Sequence, residues 1–179
     1  MVAESEGNRQ PEPPTPAKDP KGHRTAPDHN EKGWPGGVPY IIGNEGCERF
    51  SYYGMRAILT LYLAFLFQET GMVAEAANAK ATSVYHYFAA GVYFVPILGA
   101  IIADRLLGKY RTILWLSMVY TLGHLVLSLG EGSVTGTYAG LVLIALGSGG
   151  IKPCVSAHVG DQFGKGNWHL LSVMYQAFY

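Results

Sequence analysis

Three long stretches without a single Lys, Arg, Asp or Glu constrain this 179-residue chain more than any other feature. They cover residues 81–103 (23 residues), 112–130 (19) and 132–151 (20), the first interrupted only by His86 and Pro96. A helix needs roughly 18–20 apolar residues to cross a ~30 Å hydrocarbon layer. One such run can be the core helix of a soluble domain, but three separated by short polar loops call for a membrane. A fourth run starts at Trp168 and is still uncharged at Tyr179. The expected fold is all-α and transmembrane.

Charge agrees. Charged residues make up 15% of the chain, against roughly 25% in soluble domains. Residues 1–32 take five of the 13 basic residues (Arg9, Lys18, Lys21, Arg24, Lys32) and six of the 13 acidic ones, so 147 residues share eight and seven. Such a surface would not keep a globular domain in solution. The even balance also speaks against a nucleic-acid partner, which needs a basic face. Cys47 and Cys154 lie in apolar stretches with no zinc or redox spacing and are expected to be small buried side chains.

Residues 1–35 hold seven of the ten prolines and almost no bulky apolar side chains. They cannot bury enough surface to offset ordering entropy, so they read as a disordered tail. They lack the apolar core of a secretory signal peptide. From Trp34-Pro35-Gly36-Gly37 the character changes, and residues 36–179 read as the membrane domain.

An earlier span is less obvious. Residues 39–68 are rich in Leu, Ile, Tyr and Phe but carry Glu45, Glu48, Arg49 and Arg56. Positions 45, 48/49, 52 and 56 recur at helical spacing and share one stripe, leaving the rest of the surface apolar. The spans are therefore expected at about 39–68, 81–103, 110–130, 133–158 and 167–179, the fifth truncated. Arg105, Lys109 and Arg111 lie between the second and third spans with Asp104 as the one acid, whereas the loops at 69–80 and around Glu131 share a single basic residue. Basic loops stay in the cytoplasm, which puts the N-terminal tail and the 160–167 loop there too.

Ionisable groups at bilayer depth cost roughly 2.5–3.5 kcal/mol each and are paired or functional. Glu45, Glu48, Arg49 and Arg56 on the first span and Lys152 on the fourth sum to +1. Glu45 reaches Arg49 at i, i+4, and Lys152 finds acids at its depth only in Glu45 and Glu48. The surplus cation calls for an anionic group in the cavity, and a carboxylate suits an arginine fork. Two glutamates among cations titrate as a coupled set, so protonating one frees Arg49 or Lys152. That is one way for a proton gradient to drive alternating access; the alternative is a static cluster that holds helices together.

Gly147-Ser148-Gly149-Gly150 lets helices approach closely, and Pro153 bends a helix. A phosphate-binding loop is excluded because Ile151 precedes Lys152 and Pro153 follows it. Tyr52, Tyr53, Tyr85 and Tyr93 read either as interfacial packing or as site hydroxyls, with Tyr52 and Tyr53 beside the charged stripe. His86 reads as a proton shuttle or as a hydrogen bond to a neighbouring helix. Neither a nucleophile–base pair nor a metal set is present, so the chain reads as no enzyme and no cofactor is expected.

The segment Glu45-Gly46-Cys47-Glu48-Arg49-Phe50-Ser51-Tyr52-Tyr53-Gly54 resembles the ExxERFxYYG motif of the proton-coupled oligopeptide transporters, within the major facilitator superfamily. The stretch from Gly99 to Lys109 resembles the superfamily's loop signature between helices two and three. The stretch from Gly147 to Phe163 is similar to the family's fourth-helix signature. The resemblance covers about residues 38–179 and implies proton-driven uptake of di- and tripeptides, with this chain as the N-terminal part of a superfamily fold. It implies proton coupling at Glu45, Glu48, Arg49, Lys152 and His86. Substrate binding is implied at Arg56, Lys152, Tyr52, Tyr53 and Tyr93, with Arg56 and Lys152 on the peptide carboxylate. Asp104 and Arg105 resemble a cytoplasmic gate latch. The partners implied are peptides, protons, the bilayer of a plasma or inner membrane, and a C-terminal bundle that would supply the acid for the peptide's amino terminus. The fifth span stops before the asparagine–glycine motif of the family, so the chain reads as a fragment that does not transport alone. Nitrate or another small anion as substrate, and a truncated regulatory membrane protein, stand as the alternatives.

Overall fold

The structure, a computed structural model, describes residues 26–28 and 30–178. The expected tail falls largely outside them. Five helices follow one another: α1 (Val38–Glu69), α2 (Ala74–Ile102), α3 (Lys109–Leu129), α4 (Val134–Gly160) and α5 (Trp168–Phe178). There is no strand among the described residues. A π-helical turn, Ala103–Leu107, continues α2 towards α3. The first four helices are long and apolar enough to cross a membrane, at 32, 34 (with the π turn), 21 and 27 residues. At 1.5 Å per residue even the shortest matches the hydrocarbon thickness. α5 has 11 described residues.

α2 starts at Ala74, seven residues ahead of the uncharged run. Glu75 sits in its first turn, where a carboxylate meets the positive end of the helix dipole. Pro96 and Pro153 lie inside α2 and α4. Turns between helices use left-handed glycines: Gly108, at φ 78, reverses the chain into α3 and accepts the backbone and side-chain hydrogen bonds of Thr112.

Two compact units divide the described residues, Ile41–His158 and the described residues up to Tyr40 with those from Val159 onward. In the larger one, α4 packs closely on α2 and α3. A Cβ on Gly99 of α2 would stand 2.5 Å from the carbonyl oxygen of Gly150, and one on Gly147 would stand 2.6 Å from the backbone nitrogen of Tyr120. Lipid tails are as apolar as leucine, so close packing replaces the hydrophobic effect as the force between such helices. Leu59, Leu63 and Phe67 of α1, Val92 of α2, and Ile144, Ile151 and Val155 of α4 fill the interior. Phe50, Leu61, Phe94 and Leu129 point outward.

In the smaller unit, Asn167 is fully buried and uses both ends of its amide. Its Nδ2 donates to the Gly33 carbonyl at 2.9 Å, and its Oδ1 accepts from the Gly164 N–H at 2.8 Å. Trp34 meets Phe163 edge to face at 6.2 Å. The residues just ahead of α1 are thereby tied to the loop that follows α4.

Candidate functional site

α1 carries the charged stripe inward. Glu45 and Glu48 are 5% and 6% exposed, in a helix whose opposite side carries the exposed Phe50. Arg49 Nε donates to Glu45 Oε1 at 2.7 Å, the i, i+4 pair that the spacing predicts. Glu48 Oε1 accepts from the hydroxyl of Ser148, a wholly buried residue of α4. The second oxygen of each carboxylate, Oε2, is buried with no hydrogen-bond partner among the described residues. Buried carboxylates normally satisfy their lone pairs, so an open oxygen on each of these two glutamates makes them candidates for a further partner.

Lys152 has no ion pair within 4 Å among the described residues. Its Nζ lies 4.9 Å from the centre of the Tyr52 ring, a cation–π contact. Glu48, Glu45, Arg49 and Arg56 all act on it electrostatically. The expected pairing of Lys152 with the α1 glutamates is thus one of proximity without contact. Arg56 Nε donates to Tyr85 Oη of α2 at 2.5 Å, with its guanidinium carbon 5.5 Å from the ring centre. Arg56 is half-buried, and its two terminal nitrogens have no hydrogen-bond partner among the described residues. Tyr52 is buried, edge-on to Tyr53 at 5.4 Å and tilted against Phe88 at 6.2 Å. Tyr53 and Tyr93 are exposed, and Tyr93 is close enough to Tyr52 and Arg56 to act on both.

The structure therefore brings together Glu45, Glu48, Arg49, Tyr52, Tyr53, Arg56, Tyr93 and Lys152, along one face shared by α1, α2 and α4. His86 is exposed and touches Tyr85 through its ring, at 5.7 Å, joining the group only through that neighbour. Asp104 and Arg105 are exposed in the π-helical turn and stand apart from the cluster.

Three participants, Ser148, Tyr120 and Ser51, escape the sequence reading. Ser148 donates to Glu48, and it lies four residues before Lys152, a spacing that puts both on one face of α4. Tyr120 of α3 has its hydroxyl 2.6 Å from Ser51 Oγ and donates to the main-chain oxygen of Glu48 at 3.2 Å. Hydroxyl residues within apolar runs follow no period, so only the fold reveals them. Cys154 is buried as expected, its thiol towards the carbonyls of Gly150 (3.3 Å) and Gly99 (3.7 Å). Cys47 is instead exposed, because it lies on the side of α1 turned away from Glu45 and Glu48. No three His, Cys, Asp or Glu side chains come together as a metal site among the described residues. A groove of about 620 Å³ between α2 and α4, lined by Lys80, Phe88 and Ala145 among others, is apolar and meets the charged cluster at Phe88, which lies against Tyr52.

Residues 110–179 match the POT family. Solute carrier family 15 member 2 of Rattus norvegicus is 44% identical over 177 residues, which is 94% of this chain and 23% of that protein. Peptide transporter family 1 of Drosophila melanogaster is 52% identical over 136 residues, 73% of this chain and 17% of that protein. Among solved structures, the POT family transporter PepTSo superposes with a TM-score of 0.79 at 53% identity, over 82% of this chain and 29% of that one. An auto-inhibited POT family peptide transporter superposes at 0.74 and 49% identity, over 79% and 28%. The chain thus spans about a quarter or less of the curated relatives it matches. With four span-length helices and these likenesses it is an integral membrane protein of a transporter family, which is not a family of enzymes. The nitrate alternative finds no support among these relatives.

Proposed function

We propose that this chain, which belongs to the POT family, is part of a proton-driven symporter that takes up di- and tripeptides by alternating access. The observation that carries the reading is the pair of buried carboxylate oxygens on Glu45 and Glu48 without a hydrogen-bond partner among the described residues, with Lys152, which has no ion pair among them either. A static cluster would have its lone pairs closed by the cations around it; here two oxygens are open to a proton.

The roles follow from the chemistry. A proton arriving at Glu48 or Glu45 removes a negative charge from a group that holds three cations, Arg49, Arg56 and Lys152. Lys152, resting on the Tyr52 ring, is then drawn to any other anion within reach. Arg56 is steadied by Tyr85 at Nε and offers its remaining N–H groups to a carboxylate in the two-pronged geometry that guanidinium favours. A peptide carboxylate between Arg56 and Lys152 would offset the surplus charge. Tyr52, Tyr53 and Tyr93 supply ring faces and hydroxyls to the peptide backbone, and His86, next to Tyr85, serves as a proton relay. Asp104 and Arg105 would latch the cytoplasmic end of α2.

In this reading residues 36–179 are part of an N-terminal six-helix bundle and residues 1–35 a cytoplasmic tail. The basic loop at 104–111 faces the cytoplasm of a plasma or inner membrane. The rest of the protein closes the cavity and binds the peptide's amino terminus.

The test is uptake of a labelled dipeptide by the full-length protein in proteoliposomes, with and without an inward proton gradient. Saturable uptake that collapses with the gradient is the expected result. Folded protein that takes up no peptide under a gradient would overturn it.

A further inference from the structure

We infer that Tyr120 is a positioning residue for Glu48: from α3, its hydroxyl sets how α1 presents that glutamate to α4. The inference rests on the proposed role of Glu48 in proton coupling.

Tyr120 sits 7% exposed in a run of apolar residues, and a membrane helix hides a phenol there only if its hydroxyl is engaged. It is engaged twice. Tyr120 Oη donates to the Glu48 main-chain oxygen at 3.2 Å and lies 2.6 Å from Ser51 Oγ. Ser51 Oγ is also 3.0 Å from the same Glu48 oxygen and 3.1 Å from that of Cys47. Each hydroxyl has one proton, and a carbonyl oxygen has two lone pairs. With Ser51 donating to the main-chain oxygen of Glu48 or Cys47, and Tyr120 donating to Glu48 or to Ser51, every proton has an acceptor on this turn of α1.

The tyrosine has no room to drift. A Cβ on Gly147 would stand 2.6 Å from the Tyr120 backbone nitrogen and 2.6 Å from its Cβ, so glycine alone lets α4 seat it. The next residue, Ser148, is the one that donates to the Glu48 side chain. Two consecutive residues of α4 therefore serve the same glutamate, one by seating the group that holds its backbone and the other by binding its carboxyl. Helices packed by dispersion alone can turn about their axes. A bond to the main-chain oxygen of Glu48 fixes α1 in the one setting where Oε1 meets Ser148 and Oε2 stays open. A tyrosine that merely filled space would be replaced by phenylalanine without effect.

Tyr120→Phe keeps the ring and removes the hydroxyl. In the full-length protein it is expected to lower gradient-driven dipeptide uptake about five-fold, the size of one lost hydrogen bond, while peptide-for-peptide exchange stays within about two-fold. Ser51→Ala is expected to lower driven uptake in the same way and Ser51→Thr to keep it. Adding Ser51→Ala to Tyr120→Phe should cost nothing further, because both act through one bond network. A second readout needs no substrate: reaction of Glu48 with dicyclohexylcarbodiimide at fixed pH, followed residue by residue by mass spectrometry, should change about three-fold or more in Tyr120→Phe. Unchanged labelling overturns the inference, whether uptake is unaltered or driven uptake and exchange fall together. If the unmodified protein takes up no peptide, the transport reading fails, and the labelling still decides whether Tyr120 positions Glu48.

Discussion

The hydroxyl of Ser148 on α4 donates to Oε1 of Glu48 on α1, joining two helices across one hundred residues of chain. A neutral hydroxyl, not an ammonium, is thus the direct partner of this buried carboxyl, and Lys152 one helical turn further along is left to the face of Tyr52. Glu48 is held in place without being neutralised by an ion pair.

Ser148→Ala removes that donor from a site with no solvent to replace it, since Ser148 is fully buried. Leaving a buried acceptor unmade costs about 1–3 kcal/mol. The substitution is expected to lower the unfolding free energy of the purified protein by that amount and to weaken driven uptake, with Ser148→Thr closer to the parent. Thermal unfolding in detergent measures the first effect. An alanine variant as stable as the parent would mean that the bond contributes nothing.

Glu48→Gln keeps the shape of the side chain and its capacity to accept from Ser148, but cannot take up a proton. Gradient-driven uptake is expected to vanish while exchange of peptide for peptide continues. Parallel assays in the same proteoliposomes give both rates. Driven uptake at the parent's rate would remove Glu48 from the coupling step.

Gly99 and Gly91 both face α4 from α2, yet they differ in the room available. A Cβ at Gly99 meets the backbone of Gly150 at 2.5 Å, whereas one at Gly91 meets Ala145 Cβ at an ordinary 3.7 Å. Backbone cannot step aside as a side chain can, so Gly99→Ala must push α2 off α4. A loss of about 1–3 kcal/mol is expected for Gly99→Ala. Gly91→Ala should be neutral or stabilising, because alanine is the better helix former by roughly 1 kcal/mol. Unfolding of the two variants side by side tests the close approach, and equal stabilities would refute it.

Much of this architecture is legible in the residues. The uncharged runs mark α2, α3 and α4, and the i, i+3/i+4 recurrence of Glu45, Glu48, Tyr52 and Arg56 identifies α1 as a span despite four charges. The Glu45–Arg49 pair follows from spacing alone. Other features do not. The early start of α2 at Ala74 is hidden because its first turns carry Glu75 and Lys80, as a loop would. The π-helical turn around Asp104 and Arg105 leaves no periodic trace over five residues. The partners of Glu48 come from α3 and α4, and no pattern within one helix tells which hydroxyl of another will meet it.

Arg56 tests the binding half of the site apart from the coupling half. Tyr85 takes its Nε, so the two terminal nitrogens present a planar fork, and Tyr93 stands nearby with an exposed ring. Such a fork binds a carboxylate through two parallel hydrogen bonds and an amide less well. Arg56→Ala is therefore expected to weaken peptides with a free carboxylate about ten-fold or more, at roughly 1.5–3 kcal/mol per charged hydrogen bond, and C-terminal amides far less. Arg56→Lys keeps the charge but loses both the fork and the Tyr85 bond, and should fall between the two. Tyr85→Phe frees the guanidinium from its anchor and should weaken the same free-carboxylate peptides to a smaller extent. Competition by matched pairs of dipeptide and dipeptide amide measures all three. If Arg56→Ala weakens acid and amide equally, the guanidinium does not read the carboxylate, and Lys152 is left as the one cation of the cluster free to do so.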